Sequence, residues 1–468
     1  MLFNSYEFLF LFLPVVLLGY WLLRTNRRRL VFLTWMSYVF YGWWDYRFCS
    51  LMLVSTLIDY VAGIRIGAAE DPAGRKRWVI FSLVSNLSLL GFFKYFDLLA
   101  RTTNSVAGWF SGAPAALVPL LHVTLPVGIS FYTFQSMSYS IDVYRGTAKP
   151  VRDFWDFACF VSLFPQLVAG PIVRYHELAE QLVSRTHTWE KGARGVTFFI
   201  LGLAKKVILA DGVALLVPRA FGAGPADLMD SWLGLLGYAM QIYFDFSAYS
   251  DMAIGLGLMM GFQFPQNFNS PYKALSITDF WRRWHMSLST WLRDYLYIPL
   301  GGNRYGPWRT YVNLFLTMLL GGLWHGANWT FLVWGGYHGV LLAIERAAGK
   351  RGLLWWAPAV VQRAWTFLLV LGGWVLFRCG SLAEAGALFA GLAGFHGVGR
   401  PTLADPESTP IPFIMLGVCA AIAWLCPNTH ELKHRYGFGL ALALAVLLVA
   451  SIGVIVVNSS SPFLYFQF

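Results

Sequence analysis

The chain has 468 residues, 57% hydrophobic and 13% charged, with a mean hydropathy of +0.55 and a net charge of +11 at pH 7. A soluble domain carries roughly 25% charged residues, so a water-soluble globule is excluded and a bilayer is the solvent this composition fits. The basic excess is no nucleic-acid footprint, because most Lys and Arg fall in short connections between apolar runs, as in the cytoplasmic loops of membrane proteins.

The predicted elements are membrane helices. Residues 2–23 form the first span; they lack the basic start and small-residue cleavage site of a signal peptide, and the apolar stretch is too long for one. Residues 30–44 and 48–66 make a short hairpin between two basic clusters, Arg24, Arg27, Arg28, Arg29 and Arg65, Arg75, Lys76, Arg77. Both clusters then face the cytoplasm and the N-terminus faces the periplasm. Residues 78–96 and 123–144 flank an Ala/Pro-rich connection at 112–121. The run 154–173 is broken by Pro165 and Gly170-Pro171 and reads as re-entrant. Residues 195–220 are interrupted by Lys205 and Lys206, and 232–262 are followed by a polar, aromatic stretch at 263–309. Residues 311–344 are long enough for a hairpin; 360–377, 411–425 and 438–457 complete the series. The expectation is an all-α polytopic protein of about ten crossings, with no internal repeat and a single membrane domain over residues 1–468. The 21 Trp and 22 Tyr supply rings for interfacial belts. Cys49, Cys159, Cys379, Cys419 and Cys426 form neither a metal spacing nor a disulfide framework and read as small buried hydrophobes.

Chemistry belongs to the few polar residues in apolar surroundings, which are costly to keep there. The densest group is TDFWRRWHMSLSTWLRDYLYIPLGG at 278–302. As one helix, capped by Thr278 and stopped at Pro299 and Gly301-Gly302, it places Trp281, His285, Leu288, Leu292 and Tyr295 on one stripe. Arg282, Arg283 and Arg293 lie off it. They suit either lipid phosphates at an interface or an anionic acyl donor arriving from the cytoplasm. The second group is LLGGLWHGANWTF, where His325 has no charged neighbour from Tyr311 to Tyr337. Such a His is either an interhelical hydrogen-bonding residue or a base that takes a hydroxyl proton and later returns one. Gly321, Gly322 and Gly326 leave room beside it, and Trp324 and Trp329 are placed to wall it. His338, Asn328, Asn303, Asp245 and Asp251 are further substrate or tunnel candidates, each with a packing alternative. Asp59, Lys94, Lys205, Lys206 and Asp211 are read as snorkelling or pairing. No nucleophile elbow, phosphate loop, dinucleotide fingerprint or zinc-protease motif occurs, and no metal site is expected.

The motifs WMSYVFYGWW, LPVGISFYTFQSMSYSIDVYRG, FPQLVAGPIVR, YFDFSAYSDMAIGLG, FWRRWHMSLSTWLRDYLYIPLGGNR, GGLWHGANWTFLVWGGYHG and SPFLYFQF resemble the membrane-bound O-acyltransferase family over nearly the whole chain. The resemblance implies ten or more membrane helices with re-entrant pieces around a central tunnel. It also implies that His325 is the essential catalytic residue and His285 the second important polar position. Acetyl-CoA is the implied donor, with no bound cofactor. The acetyl group is implied to cross the bacterial inner membrane to a periplasmic acetyltransferase partner for O-acetylation of an exopolysaccharide, alginate by overall likeness. Cellulose, peptidoglycan and a non-catalytic transporter or assembly scaffold remain alternatives. Besides that partner and the donor, membrane lipids are the expected contacts.

Overall fold

The computed structural model of the protein describes residues 1–112, 116–222, 224–349, 352–399, 410–432, 436–458 and 461–464. Part of the predicted connection (113–115) and the end of the SPFLYFQF motif (465–468) lie outside the described residues. Within them the regular structure is entirely helical. The chain divides into two units: Met1, Phe10–His187 and Phe262–Phe264 form one; Leu2–Leu9, Thr188–Gly261 and Pro265–Phe468 form the other.

The first unit contains α1 (Leu13–Leu22), α2 (Asn26–Asp45), α3 (Phe48–Ala68) and α4 (Pro72–Leu90). A π-helical turn carries α4 into α5 (Phe96–Ser111), and α6 (Ile129–Arg145) follows. Thr25 and Asp71 start α2 and α4 by accepting the N–H groups of Arg28 and Gly74. The predicted break at Pro165 falls just before it, between α7 (Phe154–Ser162) and the one-turn α8 (Phe164–Leu167), because proline suits the first turn of a new helix. Ser37 Oγ accepts the Phe164 N–H there at 3.0 Å, and α9 (Tyr175–Val183) closes the unit. Asp59, predicted to snorkel or pair, does not snorkel and forms no ion pair among the described residues. It is fully buried and accepts from Ser82 Oγ, Asn86 Nδ2 and Ser140 Oγ at 2.5, 2.9 and 3.2 Å. Neutral donors on α4 and α6 thus replace a countercharge. Lys94 is buried and donates to Ser130 Oγ.

The second unit opens with α10 (Trp189–Ala204), whose end widens into a π-helical turn at Lys205–Ala210 before α11 (Asp211–Ala214) and α12 (Val217–Phe221). The long α13 (Leu228–Met259) packs on α10 through glycine. A Cβ added to Gly195 would meet the Gly255 carbonyl oxygen at 2.7 Å, so only small residues permit this approach. Then come the short α14 (Ile277–Trp281) and α15 (Met286–Leu292), and the hairpin of α16 (Gly306–His325) and α17 (Trp329–Ala347). The unit ends with α18 (Ala359–Arg378), α19 (Leu382–Leu392), α20 (Ile411–Leu425) and α21 (Phe438–Asn458). The predicted 311–344 hairpin is therefore present, and its turn is fixed by Asn328, whose Oδ1 accepts the Thr330 N–H.

By length and composition, α3, the continuous α4–α5 helix (Pro72–Ser111), α18 and α21 are long and apolar enough to cross a membrane. On α21 the apolar side chains point outward, Val449 at 69% and Val457 at 81% exposure, a surface that lipid rather than water satisfies. By contrast, α6 buries most of its side chains and α13 buries every one over residues 242–259, so Gln135, Asp142, Asp245 and Asp251 meet protein. Cys159, Cys379 and Cys419 are buried free thiols as expected, whereas Cys426 is exposed.

Candidate active site

The predicted continuous helix over 278–302 does not form. The chain breaks at His285, which stands in the left-handed region at φ 44° and ψ 54° between α14 and α15. For a branched-ring residue that conformation costs about 1–3 kcal/mol unless its surroundings impose it. Here Asn267 imposes it. Its carbonyl oxygen accepts the Met286 N–H at 2.9 Å, and its Oδ1 accepts from Ser287 N and Ser287 Oγ at 3.3 and 2.9 Å. The same Oδ1 lies 3.1 Å from His285 Nδ1, while Asn267 Nδ2 donates to Ser250 Oγ. A backbone N–H can only donate, so Asn267 presents oxygen on this side and His285 carries its proton on Nδ1, leaving Nε2 as the basic nitrogen. His285 lies in the connection between short helices, outside the spans, and is wholly buried; burial pushes its pKa down to about 3 and keeps the ring neutral. The predicted cap also moves: Ser276, not Thr278, accepts the Asp279 N–H that starts α14.

His325 is the last residue of α16 and is 6% exposed. Its ring sits among Trp324, Trp334 and Phe377 at centroid distances of 5.0, 5.1 and 5.3 Å, with the Trp334 ring plane nearly perpendicular at 89°. The His285 ring is 6.3 Å away, and Trp324 borders both imidazoles. Thus two histidines from separate segments meet in one aromatic setting.

His325 opens onto a cavity of about 270 Å³. Its walls include Trp281, Trp334 and Gly321, an aliphatic lining of Leu288, Leu292, Leu314, Met318 and Leu342, and the side chains of Arg282 and Arg293. His285 is not one of the lining residues. Arg282 is exposed and has no ion pair among the described residues, whereas Arg293 bonds to Asp294 at 2.6 Å. The remaining donor-binding candidate, Arg283, is turned away: it pairs with Asp279 at 2.8 Å and donates to the Asn269 carbonyl. The cavity therefore offers an imidazole, an apolar body and guanidinium groups on one lining.

Other candidates are placed elsewhere. Gly322 and Gly326 make no room beside His325. A Cβ on Gly322 would strike Gly335 Cα at 2.9 Å, and one on Gly326 would strike the Phe331 ring, so both serve helix packing and only Gly321 lines the cavity. Trp329 is half exposed and away from the imidazole's ring contacts; Trp334 takes the wall position. Asn328 is spent on capping α17 and donating to the Gly380 carbonyl. Asn303 accepts from Tyr297 Oη in the turn after α15. His338 is buried, with Nδ1 accepting from Trp281 Nε1 at 3.4 Å. Asp245 and Asp251 lie on one unbroken helix and serve different lysines. Lys206 pairs with Asp245 and Asp211 at 2.7 and 2.9 Å, and Lys205 with Asp251 at 2.6 Å. The Lys206 group also holds the C-terminal segment. Lys206 Nζ donates to the Pro462 carbonyl, Asp245 Oδ2 accepts the Leu464 N–H, and Asp211 Oδ2 accepts Ser461 Oγ.

Asn267 and Glu345 escaped the sequence reading. The signal for Asn267 was slight, a polar run QNFNS at the end of an apolar span; Glu345 stood out only as an acid closing the 311–344 hairpin. Among the described residues no group of three His, Cys, Asp or Glu is arranged to hold a metal ion.

The sequence pattern of the membrane-bound O-acyltransferase family matches residues 153–364, a range that contains both histidines and every cavity wall. The chain is 45% identical to the probable alginate O-acetylase of Pseudomonas putida, over 100% of both chains. It is 51% identical to the probable alginate O-acetylase of Pseudomonas aeruginosa, over 84% of this chain and 75% of that one. A peptidoglycan O-acetyltransferase of Helicobacter pylori is 35% identical, over 100% of this chain and 98% of its own.

Proposed function

We propose that this chain, which belongs to the membrane-bound O-acyltransferase family, takes an acetyl group from acetyl-CoA at the cytoplasmic face and passes it across the inner membrane for O-acetylation of alginate. The observation that carries the reading is the shared lining of one cavity by His325 and the exposed guanidinium of Arg282. Alginate as the polymer rests on the names of relatives that match this chain over most or all of its length.

In this reading Arg282 and Arg293 meet the phosphates of the donor, as guanidinium groups do, and the cavity of about 270 Å³ receives only the thioester end. The nucleotide stays outside. His325 accepts the proton of the acceptor hydroxyl as that oxygen attacks the thioester carbonyl. The carbon–sulfur bond then breaks, the ester forms, and the proton held on His325 goes to the departing thiolate. Trp334 and Phe377 keep the imidazole in place and water away from it. His285, neutral at working pH, packs against Trp324, the ring that borders both imidazoles. The N-terminus faces the periplasm, where a partner acetyltransferase receives the acetyl group and modifies the polymer.

Peptidoglycan is the second reading, favoured by the full-length likeness to the Helicobacter pylori protein. The test is polymer acetylation in cells carrying His325→Ala, with membrane levels followed by immunoblot. Loss of acetyl groups from alginate at an unchanged protein level supports the reading. Retained acetylation overturns it, and loss confined to peptidoglycan moves the assignment to the second polymer.

A further inference from the structure

One wall of the cavity is the five-residue helix α14 with Arg282 just after it, and so short a segment has little helical stability of its own. One face of α17 holds it at both ends. At the start, Glu345 is only 3% exposed, and its Oε1 accepts the Ile277 N–H at 2.7 Å. Its Oε2 accepts the Thr278 N–H and the Thr278 hydroxyl, both at 2.8 Å. A carboxylate at a helix N-terminus, fed by three donors, is the strong form of such a contact. At the other end Trp281 donates to His338, seven residues before Glu345 and so on the same side of α17. Trp334, one turn earlier still, packs against Trp281, His338 and His325 at 5.7, 5.1 and 5.1 Å.

We infer that Glu345 is a positioning residue for the acyl donor: by pinning the first turn of α14 it sets where Thr278, Trp281 and Arg282 stand on the cavity that His325 opens into. The inference rests on the reading of that cavity as the donor site. A carboxylate so deeply buried is costly unless its acceptor capacity is filled, and among the described residues its three hydrogen-bond donors all belong to α14. No countercharge is needed, because the backbone and hydroxyl donors supply the stabilisation. Glutamine in its place would turn an N–H toward a backbone N–H, so even this isosteric change should release one end of the helix.

The experiment measures acetyl incorporation against acetyl-CoA concentration in membrane vesicles containing the full chain and its acceptor system. Glu345→Gln should raise the donor KM at least tenfold with kcat within about threefold, since a displaced wall weakens binding while His325 is untouched. A variant that merely lowers the amount of folded enzyme would reduce the apparent kcat and leave KM alone, which overturns the inference. If Glu345→Gln does not accumulate in the membrane, Thr278→Val removes one of the three donors more gently. It should raise KM several-fold; an unchanged KM overturns the inference equally. Arg282→Ala separates the two levels. If it raises KM and the Glu345 and Thr278 variants do not, the donor site stands and the role of Glu345 fails. If Arg282→Ala itself leaves KM unchanged, the donor reading of the cavity fails.

Discussion

The rings of His285 and His325 stand 6.3 Å apart, and the first of them occupies a left-handed backbone position that Asn267 holds in place. The pair therefore depends on an asparagine that touches only one of its members.

Replacing Asn267 with Ala should expose this dependence. Ser287 N–H, Ser287 Oγ and His285 Nδ1 would all lose the Asn267 Oδ1, while the Met286 N–H keeps the main-chain carbonyl, at a cost of about 1–3 kcal/mol. Asn267→Asp keeps the accepting oxygen and should lose less. Thermal unfolding in detergent, with acetylation measured alongside, checks the order: wild type, then Asp, then Ala.

The neutral state of His285 gives stability a definite pH dependence. In the folded chain the ring stays unprotonated down to about pH 3, whereas an unfolded imidazole titrates near 6.5. Protons thus bind the unfolded state first. Stability from this group is complete above about pH 6.5 and declines as pH falls toward 3, by up to about 1.4 kcal/mol per pH unit. Melting temperatures between pH 7.5 and 5 should fall less steeply for His285→Gln than for the wild type; equal slopes would refute the assignment.

Arg282 and Arg283 are neighbours with opposite expected effects. Arg282→Ala should raise the donor KM several-fold and flatten its dependence on ionic strength, since a solvent-facing charge is screened by salt. Arg283→Ala breaks a pair with Asp279 whose side chains are 31% and 29% exposed, worth about 0–1 kcal/mol, and should leave donor binding unchanged. Initial rates at two salt concentrations distinguish the two variants.

Adjacent glycines should also part company. Gly322→Ala drives a methyl group into Gly335 and should destabilise the α16–α17 hairpin by about 1–3 kcal/mol, seen as reduced membrane accumulation. Gly321→Ala meets only Leu292 Cδ1, at 3.1 Å. It should accumulate normally and slow acetyl transfer by narrowing the cavity.

Much of this arrangement was legible in the order of residues. The α16–α17 hairpin showed as an apolar run long enough for two helices, and His325 stood out by lacking charged neighbours. The break at His285 was hidden, because no proline or glycine marks it. Its cause is Asn267, eighteen positions earlier, which acts only once the fold has formed. Likewise nothing in Arg282-Arg283 tells which guanidinium is neutralised; the one-turn reach of Asp279 decides that. The glycines beside His325 were assigned space that α17 fills, since close helix approach and an open pocket require the same residue type.

The ties from Lys206, Asp211 and Asp245 to Ser461, Pro462 and Leu464 bear on how the protein is made. Those bonds span 219 to 256 positions, so the polar group from Lys206 to Asp245 waits through the synthesis of every later helix for its final partners. A ribosome that stops early releases a chain whose Asp211 and Asp245 carboxylates each lack one donor, a state that a quality-control protease can recognise. Pulse-chase of a chain ending at Asn458 should show faster turnover than the full chain; equal lifetimes would mean the terminal segment is dispensable for assembly.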